Sequence, residues 1–328
     1  MDVALDAAPA VALATDARPL PLRLTAIRYA ARGVNVYELQ AIDGMPLPTF
    51  TPGAHVDLHL RPGIVRQYSL IGPTGDAGHY AVAVKRDPAG RGGSVHLHDV
   101  VRVGDMIDVG RPRNHFVLHE NARHSVLLAG GIGVTPMVAM ARRLRELGSA
   151  FTLHYSVRRR DEAAFLDLLK GEELRLHVDV EREGRFMDVG SIVAEAPADA
   201  HLYCCGPAPM LDAFEAAAQG RPGGLVHLER FTAAAPSATA GGYRVRLERS
   251  GRVVPVRPGQ TILEALRATG IDVQASCEQG ICGTCETRVL RGRPDHRDSL
   301  LSDEERAANR AMMICCSGSL DDELVLDL

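Results

Sequence analysis

Four cysteines near the carboxyl end of the 328-residue chain have the spacing of a metal-binding loop. Three of them form a C-x4-C-x2-C run and one follows thirty positions later: Cys277, Cys282, Cys285 and Cys315. This spacing is typical of a [2Fe–2S] cluster held by four thiolates, which are the soft anionic donors that iron–sulfur clusters need. Gly280 and Gly283 lie within the run and allow the backbone to approach the cluster closely. The sequence therefore predicts these cysteines as metal ligands.

Two alternatives to this assignment remain open. A zinc site is the other common use of four cysteines, although such sites favour two C-x2–4-C pairs, which adjacent Cys315 and Cys316 cannot form. Cys316 is also an alternative fourth ligand. The first 203 residues contain no cysteine, unlike a secreted disulfide framework. With Asp2 and Asp6 ahead of any arginine, the N-terminus does not read as a secretory signal, and we expect a cytoplasmic protein.

A glycine-rich turn, GGIGVTP at residues 130–136, follows an apolar strand and opens a helix. Its glycines let the backbone come close to a pyrophosphate, while the helix N-terminus supplies N–H donors. A second turn, CGPAPM at 205–210, follows a later strand, and two such turns at one sheet edge indicate a ligand crevice. A plain strand-to-helix turn is the alternative for the first motif. For Cys205, the alternative to a place beside a nicotinamide is a small buried core residue.

A third motif, RQYSL at residues 66–70, precedes Lys85 and the glycine-rich segment 91–94. Taken alone, it is an edge strand followed by a loop. Hydrophobic residues make up 46% of the chain and the net charge is −4, so the sequence can form ordinary cores and gives no electrostatic case for nucleic acid binding. No apolar run approaches the roughly 18 residues that a membrane helix needs.

The elements that must position these motifs fall into regions with different periodicities. Residues 21–118 show short strands broken by turns, typical of an antiparallel barrel or sandwich. Residues 119–231 alternate strand and helix, which predicts a parallel sheet. A small-residue linker at 232–242 leads to a compact segment at 243–328, and residues 1–20 are expected to be a disordered leader.

Together the motifs resemble the phthalate dioxygenase reductase family, close to vanillate O-demethylase reductases. The family motifs are R-x-Y-S-L, G-G-I-G-x-T-P-M, C-G-P-x-x-M, E-R-F and the C-terminal cysteines with P-D-H-R-D. The resemblance covers residues 20–328. It implies a multidomain fold: an antiparallel Greek-key β-barrel for flavin, an α/β parallel-sheet nucleotide-binding domain and a C-terminal β-grasp ferredoxin domain of the plant type.

The resemblance also implies a function. The chain would be the reductase component of a multicomponent Rieske-type aromatic oxygenase or O-demethylase, with NADH, FMN and one [2Fe–2S] cluster as cofactors. Hydride transfer from NADH to FMN would be followed by single-electron transfer through the cluster. We expect a monomer that docks transiently on its oxygenase. The alternatives are a reductase that serves a cytochrome P450 or a separate ferredoxin, and a non-catalytic iron–sulfur binding or sensor module.

The site residues implied by the resemblance form two groups. The flavin group comprises a phosphate site and the ring contacts: Arg66, Gly92, Gly93 and Ser94, then Tyr68, Ser69, Val84, Lys85, Thr135 and Phe231. The nucleotide group comprises Gly130, Gly131, Gly133, Cys205, Gly206 and Pro207. Of these residues, Ser69, Thr135 and Cys205 are the expected catalytic residues. One departure is the arginine run 158–160 after a strand end, where an arginine could accept a 2′-phosphate and favour NADPH over the expected NADH.

Overall fold

The computed structural model describes residues 18–61, 64–75, 77–233 and 235–328. Most of the predicted leader, residues 1–17, lies outside this range. Within the described residues, no helix has the length and apolar character required to cross a membrane.

The amino-terminal part is an antiparallel sheet of six strands in the order β4-β3-β6-β1-β2-β5. Its elements are β1 (Leu20–Ala31), β2 (Val34–Ala41), β3 (His55–Arg61), β4 (Ile64–Ser69), β5 (His79–Lys85), α1 (Gly93–Asp99) and β6 (Met106–Val109). A bridge between Leu70 and Val82 links the two edge strands and closes the sheet into a barrel. Alternate side chains such as Val56 and Leu58 fill its interior.

The middle part is a parallel sheet in the order β11-β10-β7-β8-β9. Its elements are β7 (Ser125–Gly130), α2 (Val134–Leu147), β8 (Phe151–Val157), α3 (Leu166–Leu169), β9 (Leu174–Val178), α4 (Val189–Glu195), β10 (His201–Cys205), α5 (Ala208–Ala217) and β11 (Val226–Glu229). Strand β10 is buried on both faces: Leu202 and Cys204 belong to one core cluster, and Tyr203 and Cys205 to the other. Strands β8 and β9 lie on one side of β7, and β10 and β11 lie on its other side. This switch in strand order places a crevice between β7 and β10.

The carboxyl-terminal part is a mixed sheet in the order β13-β12-β18-β14-β16 with a two-stranded β15-β17 sheet beside it. Its elements are β12 (Tyr243–Leu247), β13 (Val253–Val256), α6 (Ile262–Ala268), β14 (Glu286–Arg291), β15 (Pro294–Asp295), α7 (Asp303–Ala308), β16 (Ala311–Met313), β17 (Gly318–Ser319) and β18 (Glu323–Leu326). A capping box formed by Thr261 and Glu264 starts α6. The cysteine loop connects α6 to β14.

Several predicted elements agree with the structure and others do not. The sequence pattern predicts strands at Val34–Ala41, His79–Lys85, Phe151–Val157 and His201–Cys205, and these are the bounds of β2, β5, β8 and β10. The sequence pattern also predicts a helix over Ala163–Leu169. The structure is helical there only from Leu166, because Phe165 adopts a left-handed conformation with φ 64°. The sequence predicts a glycine-rich loop at residues 91–94 and does not predict helix α1, which begins at Gly93 directly after Gly92 with φ 80°. The predicted domain boundaries remain predictions.

Candidate functional site

The cysteine loop brings four thiols together in a buried position. Cys277, Cys282, Cys285 and Cys315 are each at most 3% exposed. The backbone N–H groups of Gln279 and Ile281 donate to Cys277 Sγ at 3.3 and 3.5 Å, and the Cys277 N–H donates to Cys282 Sγ at 3.4 Å. Such a nest of amides stabilises negative sulfur. The arrangement therefore fits a group that keeps these sulfurs as thiolates.

The position of the fourth ligand separates the two adjacent cysteines. The Cys315 thiol lies within hydrogen-bonding range of Cys277 and Cys285. The Cys316 Sγ points instead toward the Met313 carbonyl at 3.7 Å and the Ser317 hydroxyl at 3.8 Å. The geometry therefore favours Cys315 as the fourth ligand.

The raised pKa of a thiol in this loop is also consistent with a site for a metal cation. Hydrogen bonding to Cys277, together with burial, holds the pKa of the Cys282 thiol well above its usual range. The Cys282 thiol would thus stay neutral on its own, and a bound cation is needed to deprotonate it.

A cationic patch lies on the barrel beside the cysteine loop. The Arg66 guanidinium donates to the backbone carbonyls of Val65, at 2.8 Å, and Arg91. Burial and the nearby Arg91 lower the pKa of Arg66. No carboxylate pairs with either arginine in the described part of the chain, so the patch is suited to an anion such as a phosphate.

Glycine is required where this patch meets α1. A Cβ atom on Gly93 would lie 2.5 Å from Arg66 Cγ, and Gly92 has a positive φ. Ser94 is oriented differently: its hydroxyl accepts from the Asp87 N–H at 3.0 Å. The structure thus brings Arg66, Gly92 and Gly93 together, while the Ser94 hydroxyl is already bonded within the loop.

The remaining barrel residues predicted for the flavin differ in exposure. Ser69 is 4% exposed, and its hydroxyl has no hydrogen-bond partner among the residues described. Tyr68 is half-buried at the edge of the barrel core. The Val84 side chain is inside that core and Lys85 is exposed, so a ligand would meet Val84 through its backbone. The Val84 carbonyl bonds to the His98 ring at 2.9 Å.

The two glycine turns of the parallel sheet touch each other. A Cβ on Gly130 would lie 2.6 Å from Pro207 Cδ, and one on Gly133 would overlap the Cys205 carbonyl. These glycines therefore have a packing role as well as the predicted one. Gly131 has φ 55°, and a Cβ there would meet open space. Both turns lie at the carboxyl edge, where the crevice was expected.

The first residues of α2 and the end of β10 lie at this edge of the sheet. Thr135 is 2% exposed, and its hydroxyl donates to the Ile132 carbonyl at 3.0 Å. Cys205 is fully buried, and its burial raises the pKa of the thiol. Gly206 packs against Met210. Phe231 is 39% exposed beyond β11.

Glu229 is a site residue that the sequence analysis did not single out. It pairs in register with Cys205, and its Oε2 atom is buried without a hydrogen-bond partner among the described residues. Burial raises the pKa of Glu229 to about 8. The adjacent Arg230 does not neutralise the Glu229 carboxylate, because its guanidinium pairs with Glu215. The E-R-F motif contained this residue, but its burial depends on contacts that are remote in sequence.

The three parts of the chain converge at one place. Gln67 donates to the Ser276 hydroxyl, and the Arg91 guanidinium donates to the Cys277 carbonyl at 3.1 Å. A small cavity is lined by the barrel, the end of β11 and the cysteine loop: His55, His115, Leu228, Glu229, Arg230, Ile281, Ser299 and Leu300. The cysteine loop therefore rests directly on the barrel edge that carries the cationic patch.

The arginine run after β8 is mostly paired. Arg159 Nε lies 3.2 Å from Asp161, and Arg160 forms a two-bond pair with Glu181. Within the described ranges, the Arg158 side chain forms no such bond, and it is exposed. It is the free guanidinium at this strand end.

Comparison with known proteins identifies the family. Residues 245–318 match the model of the 2Fe-2S iron-sulfur cluster binding domain, which confirms the predicted cluster. The chain is 52% identical to phenoxybenzoate dioxygenase subunit beta of Ectopseudomonas oleovorans over 94% of this chain and 98% of that protein. Its fold matches phthalate dioxygenase reductase with a TM-score of 0.70 and 37% identity, covering 94% of this chain and 98% of that one.

A third match is longer than this chain. An intact type IV self-sufficient cytochrome P450 monooxygenase aligns with a TM-score of 0.86 and 39% identity over 95% of this chain. The chain spans only 41% of that protein. The phthalate dioxygenase reductase match confirms the predicted fold class of barrel, α/β domain and ferredoxin domain. The chain belongs to the phthalate dioxygenase reductase family, whose members are oxidoreductases that serve as reductase components of oxygenase systems.

Proposed function

We propose that the protein passes electrons from NADH, through FMN and its [2Fe–2S] cluster, to a Rieske-type aromatic oxygenase. The observation that carries this proposal is the contact of the cysteine loop with the barrel at Arg91 and Cys277. This contact supports a short path between the cluster and the proposed flavin phosphate site. Family membership supports the cofactor set.

FMN fits the barrel because its terminal phosphate matches the cationic patch. Arg66 and Arg91 would supply charge-assisted hydrogen bonds, and Gly92 and Gly93 leave room for the phosphate near the backbone. The Ser69 hydroxyl is free to donate to the flavin ring. When bound, FMN takes up an electron pair as hydride and releases electrons singly, the conversion needed between NADH and a one-electron cluster.

The nucleotide would bind in the crevice at the carboxyl edge of the parallel sheet. The turns at Gly130–Gly133 and Cys205–Pro207 present their backbones there, and neither requires a charged side chain for the pyrophosphate. Cys205 and Glu229 form the floor at the end of β10 and β11. Cys205 is fully buried and Glu229 is half-buried, which limits the access of water to the place where hydride would pass.

The flavin assignment can be tested by release and by substitution. Flavin released by heat should chromatograph as FMN, and Arg66→Ala should weaken flavin retention by roughly tenfold or more, since a charge-assisted bond contributes about 1.5–3 kcal/mol. Arg86→Ala is the matched control, because Arg86 pairs with Asp99 on the same barrel, outside the patch. Released FAD, or equal loss of flavin in both variants, would refute the proposal.

The partner assignment rests on transient docking. The cysteine-loop segment mixes charges, with Glu278, Glu286 and Arg288 close together in sequence, which suits a weak and electrostatically steered complex. Electron delivery to the oxygenase should therefore slow as ionic strength rises. The Debye length, the distance over which charges interact in solution, shortens to about 8 Å at 0.15 M salt. NADH-dependent ferricyanide reduction, which needs no docking, should change much less. Equal salt dependence of both activities, or a stable stoichiometric complex, would contradict this proposal.

A cytochrome P450 partner is the second candidate, and the match with a self-sufficient P450 monooxygenase favours it. The two candidates differ in the acceptor that is reduced. Comparing turnover with a Rieske oxygenase and with a separate P450 haem domain distinguishes them. Delivery to the P450 alone would replace the first proposal.

A further inference from the structure

Three imidazole rings meet near the amino-terminal edge of the parallel sheet, away from the cofactor sites. His201 begins β10, His227 lies in β11, and His119 lies in the segment before β7. The ring centroids are 4.5 Å apart for His119 and His201, 4.8 Å for His119 and His227, and 5.2 Å for His201 and His227. The potential ligand atoms of all three residues lie within 4.8 Å of one another.

The fold, and not the local sequence, holds these rings together. Tyr203 is the register partner of His227, and their rings stack at 4.6 Å. The Tyr203 hydroxyl accepts a hydrogen bond from the His119 backbone N–H at 2.8 Å. Because residues 201 and 203 lie on the same face of β10, one buried tyrosine fixes the positions of both flanking histidines and of the loop.

The spacing of the nitrogens is close to that of a chelating pair. His201 Nδ1 lies 3.0 Å from His227 Nε2. Two imidazole nitrogens on one zinc ion, at about 2.0–2.1 Å each, would lie roughly 2.9 Å apart at a right angle and about 3.4 Å apart at the tetrahedral angle. The pair therefore needs to move by only a few tenths of an ångström. The third ligand atom needs a shift of at most roughly 1.4 Å, which the exposed His119 side chain can make by rotation.

The surroundings leave the rings free for an ion. Apart from the contact between His201 and His227, the three side chains form no hydrogen bond or ion pair within the described ranges. His119 is exposed, so one side of the cluster is open to water, while His201 and His227 are half-buried. Three protein ligands with one open position is a common coordination for zinc.

We propose that His119, His201 and His227 form a binding site for a divalent transition-metal ion of the zinc class, with a solvent-facing fourth position. Imidazole nitrogen is a good donor for such ions. The site is independent of the cofactors, because Cys205 at the crevice is four residues along β10 from His201, or about 13 Å. An ion there would tie the loop before β7 to the edge strand β11.

Zinc binding to the holoprotein, with FMN and cluster in place, tests this proposal by calorimetry. We expect one ion per chain. His119→Ala should weaken its affinity at least roughly tenfold, since even the loss of an outer partner of a metal ligand costs about 10–100-fold. His177→Ala is the matched control, because His154 and His177 form a similar pair at 3.2 Å outside the proposed site.

X-ray absorption at the zinc edge provides a second measurement on the same samples. Nitrogen and oxygen neighbours at about 2.0–2.1 Å would support the site, whereas sulfur at about 2.3 Å would show that the ion has entered the cysteine loop and overturn the proposal. Undiminished affinity in His119→Ala, or no stoichiometric binding by the wild-type protein, would also overturn it. In that case the contact between His201 and His227 is an ordinary hydrogen bond.

Discussion

The barrel meets its two neighbouring domains through contacts of different kinds. Toward the α/β domain it shares one continuous apolar core, formed by the barrel residues Ala31, Val34, Val36, Ile71, Ala81 and Ala83 and by α2, β8 and their surroundings. Toward the ferredoxin domain the bonds are polar, from Gln67 to Ser276 and from Arg91 to Cys277. The ferredoxin core contains only residues from Tyr243 onward.

This difference separates the flavin and nucleotide sites, whose geometry must stay fixed, from the cluster, which must meet an external acceptor. An apolar interface opens only by exposing its surface to water, so the flavin and nucleotide sites keep a constant geometry. Hydrogen bonds across a polar interface can be exchanged for bonds to water at little net cost. The polar contact is therefore suited to a cluster that receives an electron from the barrel and then meets an external acceptor.

Removing the cluster should have the largest effect. Cys315→Ser takes away a ligand that touches both Cys277 and Cys285, and the protein should lose its iron and all one-electron transfer to cytochrome c. NADH-dependent ferricyanide reduction should persist, because the apolar interface is untouched. Iron content and electron paramagnetic resonance after reduction measure the loss.

Cys316→Ser is the control for this prediction. The Cys316 thiol contacts the Met313 carbonyl, the Ser317 hydroxyl and Cys315, whereas the Cys315 thiol contacts both Cys277 and Cys285, so the cluster should remain in this variant. A variant at position 316 that loses the cluster, while the variant at 315 keeps it, would reassign the fourth ligand.

Substitutions at the two interfaces should differ in their cost. Ile71 is 6% exposed in the shared apolar core, and Ile71→Ala should lower the free energy of unfolding by about 2–5 kcal/mol. Ser276→Ala removes one hydrogen bond and should cost only about 0.5–1.5 kcal/mol. The thermal transition of each domain, followed by flavin and cluster absorbance, measures both. An equal or larger cost at Ser276 would show that the polar interface is the more stable one.

Glu229, which is half-buried and has a buried Oε2 atom, predicts a pH dependence of stability. With a pKa of about 8 in the folded protein, against an ordinary value of 4.5, it keeps its proton where the unfolded chain has lost it. Stability should therefore fall as the pH rises from about 4.5 to 8 and level off above that. Glu229→Gln removes this contribution, so its melting temperature should exceed that of the wild type increasingly over this range. A constant difference from pH 5 to 9 would contradict the burial of a protonated acid.

The smallest expected effect concerns nucleotide choice. We expect a kcat/KM ratio that favours NADH, with the residual NADPH activity depending on the unpaired Arg158. Arg158→Ala should lower NADPH use by up to roughly fivefold, because an exposed charge contact contributes about 0.2–1 kcal/mol, and should leave NADH use unchanged. Arg160→Ala is the control, because Glu181 already holds that side chain. A wild-type ratio in favour of NADPH would contradict the NADH assignment.

The features that could be predicted from sequence are local ones. Cys277 to Cys285 carry their spacing in nine consecutive positions, and strands such as Phe151–Val157 are visible from the alternation of apolar and polar residues. The left-handed Phe165 has no such signal, so its helix was predicted too long. The burial of Glu229 and the meeting of His119 with His201 and His227 depend on chain segments far apart in sequence, and only the folded sheet brings them together.

The most direct test of the central claim is anaerobic addition of NADH to the holoprotein, followed by flavin absorbance and low-temperature electron paramagnetic resonance. The proposed path predicts that NADH bleaches the flavin and produces the rhombic signal of a reduced [2Fe–2S] cluster. In Cys315→Ser the flavin should still bleach while the signal is absent. A wild-type cluster that stays silent with NADH, although dithionite reduces it, would contradict electron flow from the barrel to the cluster.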